Sequence, residues 1–310
     1  MFPTLDVLIP VYNEASYLEE TLKALCACKI PSDLHIRLVF SDNASDDESL
    51  KTITAFNFPF ETKIFPQSTN LGGRGNWEFL LDQVQGDFFI FLDAHDLITS
   101  DYFIAFQDLL KSHSDNFFAF IGAEIALNES QNGYEVQPKE WQYFFSENSR
   151  IRVWQLIFEL GPNTIVHSIF KTSDFLFTEI SHSKVYTFDH LITHIGLLKR
   201  NLWVETKVNY IRRYRKVVGV NFTHEVASGL FESRVQRVMG SSRREFSDKF
   251  LAKEIFQITK NSIPFGMKFF AWALLKLKYS GRTSSVIIFR ILRKIFRTVT
   301  PWKSQRKLLG

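Results

Sequence analysis

The residues best suited to chemistry are Asp93, His95 and Asp96, which directly follow five large apolar residues, Phe88-Phe89-Ile90-Phe91-Leu92. A short continuous apolar run reads as a strand buried on both faces, as in the middle of a parallel sheet. Ligands of open α/β sheets bind beyond the carboxyl ends of such strands. Two carboxylates with an imidazole between them form a donor set suited to Mn2+ or Mg2+. The stretch therefore predicts a metal and diphosphate site at a sheet rim. The alternative is that Asp93 and Asp96 cap a helix expected from about Ser100 to Ser112.

The elements that would position these groups can be followed along the chain. Leu5–Val11, His35–Phe40, Glu61–Phe65 and Phe88–Leu92 read as strands. Between them the spacing predicts a helix ending near Cys28, a second capped by Ser45 or Asp46, and a third over Trp77–Val84. The order βαβαβαβ argues for a parallel sheet with helices on both faces. Right-handed crossovers then bring all the strand ends to one rim. Four segments meet there: Pro10-Val11-Tyr12-Asn13-Glu14, Ser41-Asp42-Asn43-Ala44-Ser45-Asp46-Asp47, Asn70-Leu71-Gly72-Gly73-Arg74-Gly75-Asn76 and Asp93-Ala94-His95-Asp96. Further on, Phe117–Leu127, Thr164–Phe170 and Leu202–Tyr210 read as strands, and Arg150–Leu160, Thr172–Phe177 and Asp189–Arg200 as helices.

The order and spacing of the four segments resemble the family 2 glycosyltransferases of the GT-A fold. Those enzymes carry a PxYNE-like end on the first strand and a DDGSxD-like end on the second. An asparagine- and glycine-bearing turn follows, and a DxD-type motif ends the fourth strand. The resemblance covers about the first 130 residues and continues loosely to about residue 220. It implies that Pro10, Tyr12 and Glu14 line a nucleoside pocket and that Asp42 accepts a hydrogen bond from base or ribose. It also implies that Asn70, Gly73 and Asn76 shape the wall near the sugar-diphosphate, and that Asp93 and Asp96 face ribose, metal and diphosphate. A divalent cation held by carboxylates would neutralise the charge developing on a nucleoside diphosphate leaving group.

The chain departs from that pattern at two points. Asn43-Ala44 stands where the family has an acid followed by glycine, and His95 stands at the central acid of DxD. Imidazole brings no negative charge and suits hard Mg2+ poorly. Either Asp96 is the main ligand, with His95 and Asp93 beside it, or metal dependence is reduced. An inverting transfer also needs a general base for the acceptor hydroxyl. The resemblance places it at the start of a helix in the second half, where Asp189 stands; Asp189 also reads as a plain helix cap. Gln236-Arg237-Val238-Met239-Gly240 does not match the Q-x-x-R-W of processive members, which favours transfer of a single sugar. His167, His190, His194 and His224 read first as structural histidines, with His224 also in play as a late metal ligand. Arg212, Arg213 and Arg215 read as a solvated basic face or as a clamp on an anion.

Composition sets the bounds. The chain has 310 residues and is 45% hydrophobic, enough for a sizeable core. Its two cysteines, Cys26 and Cys28, form no disulfide or zinc pattern and fit a reducing compartment. The N-terminus reads as lacking a secretory leader, and no run of about 20 apolar residues predicts a transmembrane helix. The net charge of +4 is uneven: residues 249–310 carry 14 lysines and arginines against Glu254 alone. Phe265–Tyr279 and Val286–Val299 interleave those cations with Phe, Leu, Ile and Trp, the pattern of a basic amphipathic helix on an anionic membrane. A partner protein is the second reading. Nucleic acid is not expected, because no recognised binding motif accompanies the charge.

The expected architecture is a GT-A type α/β domain over residues 1–225 with a mostly parallel central sheet and helices on both faces. Within it, residues 1–130 would bind nucleotide-sugar and residues 131–225 the acceptor. Residues 226–310 would form a helical, basic, membrane-associating extension. The expected function is inverting transfer of one sugar, dependent on Mn2+ or Mg2+, from a nucleotide-sugar to a glycan or lipid-linked glycan. The setting would be cell-surface polysaccharide biosynthesis, at the cytoplasmic face of the membrane. The alternative is a catalytically weak GT-A module that binds a membrane or partner. A nucleotidyltransferase fits less well, since it would want a glycine-rich basic loop where this chain has Tyr12-Asn13-Glu14.

Overall fold

The computed structural model describes residues 2–113, 117–130, 133–138, 165–175, 201–214 and 265–278, with short pieces at 153–154, 157–158, 253, 256–257, 287–292 and 294–295. Asp189 and the helix expected from it lie outside the described residues, as do His190, His194, Arg215 and His224. The chain divides into two compact units. The first comprises Met1–Trp141, His167–Phe177 and Trp203–Val235; the second comprises Gln142–Val166, Thr178–Leu202 and Gln236–Gly310.

The first unit is built on nine strands among the described residues. In chain order its elements are β1 (Thr4–Val11), α1 (Ala15–Cys26), β2 (His35–Asp42), α2 (Ser49–Ala55), β3 (Glu61–Pro66), α3 (Gly72–Asp82), β4 (Phe88–Phe91), β5 (Leu97–Ile98), α4 (Tyr102–His113), β6 (Phe117–Ser130), β7 (Gly133–Pro138), β8 (Ile169–Lys171) and β9 (Asn201–Tyr214). The sheet runs β3-β2-β1-β4-β8-β6-β9-β5, with β7 paired to β6. Strands β1 to β4 are mutually parallel. Beyond β4 the sheet turns antiparallel: β8 pairs with both β4 and β6 in that sense, and β5 with β9.

The apolar run is continuous because both faces of β4 are covered. Phe88 packs edge-on to Phe106, with ring centroids 5.1 Å apart, and belongs with Ile90 and Leu92 to the main core. Phe89 faces Phe170 and Phe175, at 5.4 and 5.2 Å. Phe91 stacks on Trp77 of α3 at 4.0 Å. The opposite, amino-terminal end of the sheet is held by a buried ion pair. Asp6 and Arg37 are cross-strand partners on β1 and β2. Arg37 donates to both Asp6 oxygens (2.9 and 2.6 Å), to Gln85 Oε1 and to the Gln83 carbonyl. Asp6 Oδ2 also accepts from the Gln85 and Gly86 amides. A buried pair of this kind is tolerated because nearly every donor and acceptor is used.

Three expectations about local structure need correction. Helix α3 starts in the glycine turn at Gly72, not at Trp77; Gly72 has φ 74°, a conformation open to glycine without strain. Helix α2 begins at Ser49 behind Glu48, with no side-chain cap; Ser45 and Asp46 lie upstream of it, where the Ser45 hydroxyl and the Asp46 amide bind Asn13. The segment Ile165–His167 is a 3-10 turn, so the strand expected over Thr164–Phe170 is only β8. In the second unit, helix α5 (Lys268–Lys278) buries Ala271, Leu274 and Leu275 against Val153, Ile157, Phe158 and Phe289.

Candidate active site

The chain runs outward from β1 to β3, then returns to place β4 on the other side of β1. The crevice of an open α/β sheet forms at such a reversal, beyond the carboxyl ends of the strands. Most of the residues singled out from sequence lie here, and hydrogen bonds tie them into one frame.

Asn13, just past β1, has φ 55°, in the left-handed region that asparagine tolerates. Its amide donates to Ser45 Oγ and its side chain accepts from the Asp46 amide, each at 3.0 Å. Asp47 accepts from the Ala15 and Ser49 amides, and Ser49 Oγ from the Glu14 amide. Asn43, one of the two departures from the family pattern, holds the glycine turn: its Nδ2 donates to Asn70 Oδ1 at 2.9 Å, and its Oδ1 accepts from the Leu71 amide at 2.7 Å. Pro10 lies beside Ser41 in the β1–β2 ladder, and Tyr12 is 40% exposed. A Cβ on Gly73 would meet nothing within 4 Å.

Two buried acceptors at the rim are unused among the described residues. Asp42 is 1% exposed; its Oδ2 accepts from the Ser45 amide at 3.2 Å, and its Oδ1 has no partner among the described residues. Asn76, 2% exposed, donates to the Ser41 carbonyl at 3.2 Å and leaves Oδ1 without a partner among the described residues. Leaving a buried acceptor unpaired costs about 1–3 kcal/mol, so each marks a position where a ligand donor would be rewarded.

Next to β4 the three sequence neighbours separate. The Asp96 amide donates to the Asp93 carbonyl at 2.9 Å, a turn that returns Asp96 toward Asp93. His95 is directed elsewhere: its Nδ1 lies 3.2 Å from Glu14 Oε1, and its Nε2 3.8 Å from Asp96 Oδ1. Burial opposes charge on His95, but the Glu14 hydrogen bond and the Asp93 and Asp96 charges outweigh it and raise its pKa. Among the described residues, the group whose ligand atoms all lie within 4.8 Å of one another is Asp93, Asp96 and His167.

Asp96 is fully buried. Its Oδ1 accepts from the Arg213 amide at 2.8 Å and its Oδ2 from the Tyr210 hydroxyl at 2.9 Å. Burial and the neighbouring Asp93 charge push its pKa up, a penalty that a cation between the two carboxylates would remove. Burial and the same two carboxylates raise the Tyr210 phenol well above its usual range. His167 Nε2 stands 3.9 Å from Asp93 Oδ2, too far for a hydrogen bond. Two ligands of one ion, each bonded at about 2.0–2.2 Å, lie about 3–4 Å apart, so the donor set fits a divalent cation.

A family model for glycosyl transferase family 2 matches residues 6–170, from β1 to the middle of β8. The chain belongs to glycosyltransferase family 2. Among curated relatives, the poly(ribitol-phosphate) beta-N-acetylglucosaminyltransferase TarS of Staphylococcus aureus is 27% identical over 179 residues, 56% of this chain and 29% of TarS. The abequosyltransferase RfbV of Salmonella typhimurium is 30% identical over 109 residues, 34% of this chain and 32% of RfbV. The matches thus span about a third of the length of these relatives. Among solved structures, S. aureus TarS 1-349 in complex with UDP-GlcNAc superposes with a TM-score of 0.57 at 14% identity, covering 95% of this chain and 92% of that one. GalNAc-T7 with UDP, GalNAc and Mn2+ gives 0.53 at 16%, over 96% and 58%. At these identities the likeness establishes the GT-A fold.

Two residues that the structure brings to this candidate site are not singled out for it by the sequence. In the sequence His167 reads first as a structural histidine and Tyr210 as the last residue of a strand. The only sequence trace of Tyr210 is its alternation with Val208 as the inward residues of β9. His167 shows only as a polar residue just ahead of a short apolar strand.

Proposed function

We propose that the protein transfers a single sugar, with inversion, from a nucleotide-sugar to a glycan or lipid-linked glycan in cell-surface polysaccharide biosynthesis. The observation that carries this reading is the Asp42 Oδ1, without a partner among the described residues and buried at the same rim as the Asp93–Asp96–His167 group. An acceptor waiting for a base or ribose donor and a donor set for a divalent cation are the two features that a nucleoside diphosphate needs. The likeness to the UDP-GlcNAc complex of TarS makes UDP-sugars the first donors to try, and the polymer-directed names of TarS and RfbV support the acceptor class.

In this reading Tyr12 and Pro10 border the nucleoside, while Asn70, Gly73 and Asn76 border the sugar-diphosphate. Glu14 sets the orientation of His95. Mn2+ or Mg2+ held by Asp93, Asp96 and His167 would neutralise charge on the diphosphate. Asp189 takes the proton of the acceptor hydroxyl. The acceptor oxygen bonds to the anomeric carbon as the bond to the diphosphate breaks on the opposite face, which inverts that carbon.

Peripheral docking on an anionic membrane is part of the proposal. No helix among the described residues is long and apolar enough to cross a membrane. Phe265 (88%) and Phe269 (82%) nonetheless stand exposed around α5, as do Ile287, Ile288, Ile291 and Ile295 farther on, with Lys276, Arg290 and Lys294 also exposed. Apolar wedges among cations suit a headgroup layer.

The test is thermal shift and turnover with a panel of nucleotide-sugars, with and without Mn2+. A UDP-sugar should raise the melting temperature, Mn2+ should add to the shift, and Asp96→Ala and Asp189→Asn should abolish transfer. A panel with no shift at all refutes the reading. A clear shift without transfer by the native protein would favour a binding module.

A further inference from the structure

We propose that Tyr210 is a positioning residue for the metal site: its hydroxyl fixes His167 with the proton on Nδ1 and leaves Nε2 free as a ligand. The proposal rests on the metal reading above. It starts from a short chain of contacts, Asp96 Oδ2 to Tyr210 OH at 2.9 Å and Tyr210 OH to His167 Nδ1 at 3.0 Å.

That chain has a direction. A phenol has one proton to give, and a carboxylate can only accept. The Tyr210 hydroxyl spends its one hydrogen on Asp96, so toward its ring-nitrogen neighbour, as toward the Asp93 amide, the Tyr210 oxygen can only accept. That neighbour is His167 Nδ1, which therefore carries N–H. In a neutral imidazole the remaining nitrogen, Nε2, then holds a lone pair. Nε2 is the atom that lies 3.9 Å from Asp93 Oδ2, within the candidate ligand group. The opposite polarity would place a proton on Nε2 and a hydrogen where a cation belongs.

Packing supports the same role. Tyr210 is 1% exposed, and its ring stacks on His167 with centroids 4.7 Å apart and planes at 23°. On the other side, Trp77 meets His167 edge-on at 6.3 Å. The imidazole is thus held in place by rings, and the hydroxyl chooses which nitrogen is bare. Strand β9 delivers Tyr210 through its pairing with β5, where Ile98 lies opposite Tyr210, two residues beyond Asp96. A carboxylate ligand and a histidine ligand are thereby coupled through one phenol. Partners that fix the tautomer of a metal-binding histidine typically change affinity by about 10–100-fold when removed.

Tyr210→Phe deletes the hydroxyl and keeps the ring stack, so it is the informative variant. Two measurements on the full chain decide. The first is long-range 1H–15N NMR of histidine-labelled, metal-free protein, with the His167 signals assigned by their loss in His167→Ala. Wild type should show His167 protonated on Nδ1, and Tyr210→Phe should shift it toward Nε2–H. The second is Mn2+ titration followed by electron paramagnetic resonance. Tyr210→Phe should raise the Mn2+ Kd about 10–100-fold, but less than about twofold further in a His167→Ala background, because it acts through that histidine. A wild-type His167 protonated on Nε2 overturns the proposal without needing any variant to fold. Equal Mn2+ affinity in wild type and Tyr210→Phe overturns the role of Tyr210 alone. A wild type that binds no Mn2+ overturns the metal reading, and the ligand role with it.

Discussion

Asp42→Asn is the sharpest probe of donor recognition. Asp42 is buried at the end of β2, with Oδ2 on the Ser45 amide and Oδ1 unused by any described residue. Asparagine is isosteric. Its carbonyl oxygen can keep the Ser45 bond, which leaves the amide NH2 where Oδ1 had been. An acceptor facing the ligand becomes a donor. A hydrogen bond to a charged group contributes about 1.5–3 kcal/mol, so a ligand N–H or O–H that bonds Oδ1 loses at least that much. At about 1.4 kcal/mol per tenfold, the Kd for UDP should rise about 10- to 150-fold. The ladder from β1 to β2 and the Ser45 bond survive, so the unliganded protein should change by less than about 1 kcal/mol in stability. Calorimetric titration with UDP in the absence of metal isolates this contact from the Asp93–Asp96–His167 group. A Kd within twofold of wild type would show that Asp42 does not face the nucleotide, and the nucleoside pocket would have to be sought elsewhere on the rim.

Three further outcomes concern the frame. Arg37→Met strips Asp6 of its counter-ion but leaves it two backbone donors; removing one partner of a buried pair costs about 3–5 kcal/mol, and the low end is expected as a fall in ΔG of urea unfolding, an unchanged midpoint refuting it. Gly122→Ala would set a Cβ 2.7 Å from both Tyr102 Cε2 and the Val208 carbonyl, an overpacking of about 1–3 kcal/mol that should appear as a lower melting temperature. Burial, followed by the Cys26 and Asp101 charges, pushes the Cys28 thiol up to about 12, and burial also raises Cys26. Both therefore hold less thiolate at pH 8 than an ordinary cysteine with pKa of about 8.5, so iodoacetamide should modify native Cys26 slowly and Cys28 only after urea is added.

The parallel half of the sheet is legible because each of its strands is bounded locally and each rim motif follows its strand directly. The run Phe88–Leu92 is apolar at every position because α4 and β6 side chains cover one face while α3 and β8 side chains cover the other. The antiparallel half is harder to see. Periodicity finds a strand but does not set its partner or direction, and β8 is only three residues long, Ile169–Lys171. The start of α2 is hard to place for a related reason. Ser45 and Asp46 have the side chains of caps, but the Ser45 hydroxyl and the Asp46 amide bind Asn13 across the rim, and Asp47 bridges the Ala15 and Ser49 amides. Local propensity yields there to a tertiary contact that holds the ends of β1 and β2 together.

His95 shows how spacing along a chain differs from proximity in space. Asp93, His95 and Asp96 are neighbours in sequence and make a plausible donor set when read as a string. The turn that brings the Asp96 amide to the Asp93 carbonyl closes the two acids toward each other and sends the residue between them toward Glu14. The third donor of the compact group, its one nitrogen, is supplied by His167, 71 residues after Asp96, just ahead of a strand that pairs with β4. Two imidazoles thus stand near the two acids in different roles. An imidazole from the 3-10 turn ahead of β8 joins the two acids in the candidate donor set, while the imidazole at the motif itself stands among Glu14, Asp93 and Asp96 with its pKa raised. Protonated, it would offset one of the negative charges that a diphosphate must approach. This predicts that His95→Asp alone adds negative charge beside Glu14 without adding a well-placed ligand. Nucleotide binding measured without metal should weaken, while the Mn2+ Kd should improve by less than about tenfold. A gain in Mn2+ affinity well beyond tenfold would mean that His95 occupies a ligand position after all.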